Sequence, residues 1–343
     1  MLTLPNELQQ AIQQALTHVP EARWLHAAQA LSERYRGPRD SAPLATGDIQ
    51  ALGYLALIMP ATYAQLHGAI AAAAARIPNW QPHSLLDLGS GPGTALWAAA
   101  AQWPTLDQFS AWEREPAFIT LGKQLAQHST APAVRQTRWT QHDLRQTAPQ
   151  GQYDLVILGH VLNELDDAAQ AKTVQAAWSM TAGMLLIVEP GTPAAFALVR
   201  HARDRLLDAG AHTIAPCAHD RPCPLEADWC HFPQRLRRPD FQRKARGAPS
   251  EWEDSKWSYA ALARFTPETA IWGRVIREPT WNKAYADVRI SATDGIHDRC
   301  ALKRHRDAFK QVKALEWGAA LADPLDEFSG EARSQELGVK SEE

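Results

Sequence analysis

Cysteine and methionine are scarce in this sequence, long apolar runs are missing, and there is no excess of basic charge. Four cysteines in 343 residues are too few to staple a disulfide-built secreted scaffold. Three of them, Cys217, Cys223 and Cys230, stand close together, which points to a metal site instead. The longest apolar stretches, around Ala69–Ala75 and Ala95–Ala101, are mostly alanine and too short to span a bilayer. Residues Met1–Val19 include Glu7 and several glutamines and lack a basic start followed by an apolar core, so no secretory or targeting signal is read there. These absences predict a cytoplasmic protein with no membrane partner. With 35 Lys and Arg against 38 Asp and Glu, the formal net charge of -3 excludes a globally basic nucleic-acid-binding chain and leaves room only for a local basic face.

What is present is a chain long enough for a large α/β domain with additions, 45% hydrophobic and 21% charged. Residues 1–80 read as a helical cap: Leu8, Ile12 and Leu16 recur at helical spacing, and Ala51–Ala75 is a second helix-compatible stretch broken at Pro60. From Ser84 short apolar runs alternate with helix-like stretches: SLLDLG, FSAWE, YDLVILG and GMLLIVEPG. That alternation predicts buried parallel strands of a doubly wound sheet over residues 81–211. Residues 212–322 read as a Cys-rich insertion, with little periodicity over 212–258, followed by a β-rich C-terminal region. The remainder, 323–343, is acidic and reads as a disordered tail.

The run Asp87-Leu-Gly89-Ser90-Gly91-Pro-Gly93 follows an apolar strand and precedes a helical run, the context that a ligand-binding glycine loop requires. A dinucleotide fingerprint is spaced GxGxxG. Here the third glycine comes one position early and an acid stands two positions before the first, the D/E-x-G-x-G-x-G form of Rossmann-like methyltransferases. In that form the turn holds the methionine part of S-adenosylmethionine, and Asp87 is the candidate partner of its amino group. Glu113, at the end of the next strand, can accept from both ribose hydroxyls. Asp143 is placed for the adenine amino group. An ordinary strand-to-helix turn also uses glycine, but four elements in this order weigh against it.

After the fourth strand, His160 in HVLNEL lies where the carboxyl edge of the sheet faces cofactor and substrate, and is the candidate catalytic residue. No Asn/Asp-Pro-Pro-aromatic run is present there, so amino-group methylation of a base gains no support. The Pro216-Cys217 pair lies beyond the fifth strand, away from where a cytosine-C5 nucleophile sits.

Cys217, Cys223 and Cys230, with Cys300 in a distant β-rich run, offer thiolates for Zn²⁺ or an iron–sulfur cluster. Short zinc knuckles are absent, while His219 and His231 are available as substitute zinc ligands. Beyond the cysteines, Arg235, Arg237, Arg238, Arg243, Lys244 and Arg246 stand against Asp240 as a candidate RNA phosphate-binding patch. Lys303, Arg304, Arg306, Lys310 and Lys313 extend it.

As a set, these residues resemble the methyltransferase-like proteins of the mitochondrial small ribosomal subunit and their bacterial relatives. The similar stretches are RYRG at 34–37, LGYLALIMPATYA at 52–64, DLGSGPGT, HVLNEL, IVEPGTP, the three-cysteine run and KWSYAALAR at 256–264. The resemblance implies a Rossmann-like class I methyltransferase domain with a metal-bound C-terminal extension. It also implies a 4Fe-4S cluster on Cys217, Cys223, Cys230 and Cys300, and a role on small-subunit ribosomal RNA or its precursor; the protein is expected to be a monomer. Two readings stay open: an rRNA methyltransferase, and a non-catalytic assembly factor that binds RNA and S-adenosylmethionine. A small-molecule methyltransferase leaves the arginines unexplained.

Overall fold

The computed structural model describes residues 2–36, 47–146 and 151–325. Four helices open the chain: α1 (Asn6–Thr17), α2 (Glu21–Arg36), α3 (Asp48–Leu57) and α4 (Met59–Ala74). α1 buries Leu8, Ile12 and Leu16, as their spacing demands. α4 is buried along most of its length and forms a wall of the main core. Pro60 occupies the first turn of α4, where its missing N–H breaks no helical bond, and a bend of 54° separates α3 from α4. No single helix among the described residues is long and apolar enough to cross a membrane.

The expected alternation follows: β1 (Ser84–Leu88), α5 (Thr94–Gln102), β2 (Gln108–Glu113), α6 (Pro116–Ala126), α7 (Pro132–Arg135), β3 (Arg138–Gln141), β4 (Tyr153–Gly159), α8 (Asp167–Ser179), β5 (Thr181–Pro190) and α9 (Pro193–Asp208). β1 to β5 pair in parallel. Leu155–Leu158 of β4 have no exposed surface, which is why this strand reads as a continuous apolar run.

The weakly periodic stretch beyond residue 211 completes the same sheet. It holds β6 (His212–Ala215), β7 (Phe232–Arg237), α10 (Asp240–Arg246) and β8 (Trp252–Ala263). β8 runs antiparallel between β5 and β6, giving the order β3-β2-β1-β4-β5-β8-β6, with β7 also on β8. This order, with the antiparallel strand one place from the edge, is the Rossmann-like class I methyltransferase sheet. β8 escapes sequence reading because Trp257–Ala263 are buried throughout, so no two-residue period survives.

A second sheet comprises β9 (Gly273–Val275), β10 (Thr280–Trp281), β11 (Tyr285–Ala292), β12 (Gly295–Leu302) and β13 (Ala320–Leu321). α11 (Arg306–Ala314) buries Ala308 and Val312 in the same core as Val288 and Ile290 of β11. The C-terminal region is therefore β-rich. The expected tail falls outside the described residues from 326 onward, as does Gly37 of the RYRG run.

Candidate functional site

β1 hands the chain to Gly89, Gly91 and Gly93, with φ of 72°, 53° and 83°, a region that residues with a Cβ adopt only at a cost. A Cβ at Gly89 would stand 2.5 Å from Val161 Cγ2, whereas one at Gly91 would enter open space. The loop is laced to the end of β2: the N–H groups of Gly89 and Ser90 donate to Trp112 O at 2.8 and 3.0 Å. Glu113 Oε2 accepts from Gly91 N and Oε1 from Glu115 N, each at 2.8 Å. Burial pushes the Glu113 carboxyl up, while those N–H groups hold it down. Each oxygen keeps a lone pair for a ribose hydroxyl.

The loop borders a cavity of about 320 Å³. Of the predicted cofactor residues, Gly89, Gly91, Glu113, Asp143 and His160 line it, while Asp87, Ser90 and Gly93 do not. Asp143 Oδ1 accepts from Arg145 N at 3.0 Å. His160 has φ of 61°, the one positive value outside glycine among the described residues, and its N–H donates to Val188 O at 2.7 Å. Strained backbone of this kind persists where its surroundings over-determine it, commonly at functional sites.

Sequence reasoning did not assign the rest of the lining to this site. Tyr54 of α3 and Thr62 and Gln65 of α4 line the cavity together with Arg246, Glu253 and Ser255. Gln65 Nε2 donates to Ser255 Oγ at 2.7 Å and to Lys256 O at 3.0 Å, which ties α4 to β8. Burial drives the Tyr54 phenol far above its usual range. Tyr54 and Thr62 were marked beforehand only as part of a stretch of family resemblance, and Arg246 only as an RNA contact; helical spacing does not say which turn faces a ligand.

S-adenosylmethionine fits the residues present. Asp87 is 2% exposed, and its Oδ2 meets no hydrogen-bond donor among the described residues. Burial first, and the Glu113 charge second, push its carboxyl up to about 8. A buried carboxyl lacking a partner is the complement of an incoming ammonium group.

Of the four cysteines expected to share a site, the structure brings three to one cavity. Cys217, Cys223 and Cys230 line a second, small cavity of about 40 Å³ with Arg203, Arg274 and Ser291, but Cys300 is not among its walls. Cys300 faces Asp287 across the β11–β12 ladder; burial and its hydrogen bond to that carboxylate push the thiol up to about 11. Ser291, 9% exposed, is the β11 residue at the cavity. No group of three or more His, Cys, Asp and Glu side chains among the described residues is arranged to hold a metal ion. His219 and His231 do not line this cavity either, and His231 stacks on Trp229 at 5.1 Å. The wall is cationic all the same: Arg274 Nε donates to Pro216 O at 2.6 Å, and Arg203 NH2 to His219 O and Arg221 O at 2.8 and 3.0 Å.

The predicted RNA-binding run is interleaved with acids in space. Arg235 grips Asp254 with two bonds of 2.8 and 2.9 Å. Arg238 and Arg246 share Glu253 at 3.2 and 2.6 Å. Arg243 pairs with Asp240 and Lys244 with Glu21, both at 2.6 Å. Arg237 is exposed and alone among the six makes no ion pair with a described residue.

The match to known proteins covers most of the chain. Residues 48–322 match the family model described as mitochondrial small ribosomal subunit Rsm22. The human mitochondrial ribosome assembly protein METTL17 is 29% identical over 290 residues, 79% of this chain and 62% of that protein. The mitochondrial Rsm22-cox11 tandem protein 2 of Schizosaccharomyces pombe is 24% identical over 335 residues, 82% of this chain and 44% of that protein. The chain thus spans about half to two thirds of these relatives' length. Among solved structures it is similar to magnesium protoporphyrin IX methyltransferase from Synechocystis with bound S-adenosylmethionine: TM-score 0.40, 16% identity, 68% of this chain and 90% of that one. That likeness adds nothing to the sheet order. The expected cytoplasmic location is overturned, because each of these curated relatives is a mitochondrial protein; the makeup of residues 1–19 was no guide to compartment. From a family match over four fifths of its length, this chain belongs to the Rsm22 family of the mitochondrial small ribosomal subunit.

Proposed function

We propose that this protein is an assembly factor of the small ribosomal subunit that binds S-adenosylmethionine and ribosomal RNA without transferring the methyl group. The observation that carries this reading is the cofactor cavity itself. Its glycine loop and Glu113 are intact, its about 320 Å³ lie at the low end of the roughly 300–1,000 Å³ usual for small-ligand clefts, and residues of α3, α4 and β8 complete its lining. That volume suits the cofactor, which supports the binding half of this reading. The kinship with METTL17, named as a ribosome assembly protein, points the same way.

In this reading Gly89 and Gly91 cradle the methionine end, Asp87 meets its ammonium, Glu113 takes the ribose hydroxyls and Asp143 the adenine amino group. The bound cofactor offers an electrophilic methyl group. Its transfer needs an acceptor aligned opposite the sulfonium with water excluded, and His160, on strained backbone at the cavity wall, favours keeping an rRNA methyltransferase as the second reading. Incubating the protein with labelled S-adenosylmethionine and immature small subunits decides between them. Cofactor binding with no label in the RNA is expected, and methyl groups mapped to a defined nucleotide would overturn the non-catalytic reading.

The finer cofactor proposal concerns the cysteine cavity. Three thiols beside buried guanidinium groups suit an iron–sulfur cluster, whose thiolates and core carry net negative charge, with Ser291 on the fourth side in place of Cys300. Such a cluster would cross-link residues 217–230 to the second sheet and add to folding stability.

A further inference from the structure

We propose that α11 and the β10–β11 hairpin form a track for single-stranded RNA, separate from the arginine run that follows Cys230. This rests on the RNA-binding part of the proposed function and says where on the molecule it resides.

The exposed large hydrophobic side chains among the described residues are Trp281 at 51% and Tyr285 at 37%, and both flank the tip of one hairpin. The turn is fixed: Asn282 Oδ1 accepts from Ala284 N and Tyr285 N at 2.7 and 3.0 Å, and Asn282 N donates to Tyr285 O at 2.9 Å. Lys303 N donates to Ala284 O at 2.8 Å, which brings the end of β12 against the tip. α11 turns Ala308 and Val312 inward. Arg306, Lys310 and Lys313 repeat at i, i+4 and i+7 on its exposed side, so they form one stripe. At the end of that stripe the Lys313 ammonium stands 5.9 Å from the centre of the Trp281 ring.

Charge separates this surface from the arginine run. Lys303, Arg304, Arg306, Lys310 and Lys313 are all exposed, and none makes an ion pair with a carboxylate among the described residues. In the arginine run five of six cations are paired. A solvated helix face explains free lysines, but it does not explain a half-exposed tryptophan held at their end. Successive turns of a helix are about 5.4 Å apart, close to the spacing of phosphates along an extended strand, so the stripe tracks the backbone while Trp281 offers a base a stacking face. Stacking on an aromatic ring asks for an unpaired base of any kind, hence a single strand read with little sequence preference.

The test uses the full chain and fluorescently labelled single-stranded and duplex RNA of equal length, with anisotropy read across salt concentrations. Trp281→Ala is expected to weaken single-strand binding roughly tenfold or more. Arg306→Glu with Lys310→Glu and Lys313→Glu should flatten the salt dependence by about 2 in log–log slope, three phosphate contacts at about 0.7 each. The wild type should prefer single strand to duplex. Thermal melting and S-adenosylmethionine binding report that each variant is folded. Equal affinity for duplex, displacement by an acidic polypeptide in place of RNA, or loss of binding only on charge reversal of Arg235 and Arg237 would overturn the track. If the variants still bind immature-subunit RNA as the wild type does, the track fails while the assembly-factor reading stands. If the wild type itself binds no ribosomal RNA, that reading fails and the track with it.

Discussion

Asp87→Asn should stabilise the ligand-free protein and impair it as a cofactor binder, with a dependence on pH that identifies the cause. The Asp87 carboxyl ionises near 3.8 when exposed and near 8 in the fold, from burial first and the Glu113 charge second. A carboxyl whose folded value is raised takes up a proton on folding, so its contribution is least unfavourable in acid. It worsens by about 1.4 kcal/mol per pH unit between the two values, then levels off. At neutral pH the cost is about 4 kcal/mol, and between about pH 6 and pH 8 it grows by about 2–3 kcal/mol. An asparagine carries no such term, although its amide must still find partners. The change with pH is therefore cleaner than the absolute difference. Urea denaturation of both proteins across this range should show the variant's advantage widening by about 2–3 kcal/mol. An ammonium beside Asp87 restores the charged form, so wild-type binding of S-adenosylmethionine should release protons, seen as a buffer-dependent heat, and the variant's should release fewer. Parallel stability curves for the two proteins would refute the assignment of a protonated, buried Asp87.

Other outcomes follow from the same geometry. Gly91→Val and Glu113→Ala should each weaken S-adenosylmethionine binding in calorimetry, the first by filling open space at the loop and the second by removing ribose acceptors at about 1–3 kcal/mol; unchanged affinity in both would sink the pocket. Metal analysis of anaerobically purified protein should find iron, lost in Cys223→Ser, retained in Cys300→Ser and bound more tightly in Ser291→Cys. One zinc in place of iron, or loss in Cys300→Ser, would contradict this. Arg246→Ala should destabilise the protein by about 1–3 kcal/mol in denaturant titration, because it strips a bond from a largely buried Glu253; an effect confined to RNA binding would restore Arg246 to the RNA patch.

The glycine loop and strands β1, β2, β4 and β5 were legible because their signals are local: a two-sided buried strand is an apolar run, and a left-handed turn needs glycine. β6 and β8 were not, since β8 takes its place by pairing with β5 far away in sequence and β6 takes its place by pairing with β8. The arginine run reads as a cationic patch along the chain. Its neutralising partners, Glu253 and Asp254, arrive from a strand whose register the sequence does not announce. That Cys300 stands apart from the other three was hidden for a similar reason. Residue type marked it as a ligand, but on β11 and β12 the face and the position along the strand decide what reaches the cavity, and there Ser291 has the place.

The bonds from Gln65 to Ser255 and Lys256 join residues 190 and 191 positions apart. Translation makes this a matter of time. The glycine loop is synthesised early, yet the wall facing it is absent until β8 has emerged, and closing so long a loop is entropically slow. A nascent chain must therefore carry α4 with an apolar face uncovered through most of its synthesis, a period in which a chaperone has reason to hold it. The lining of the cavity is complete only once β8 has been made, so a ligand that needs all of it would report that the sheet has been completed.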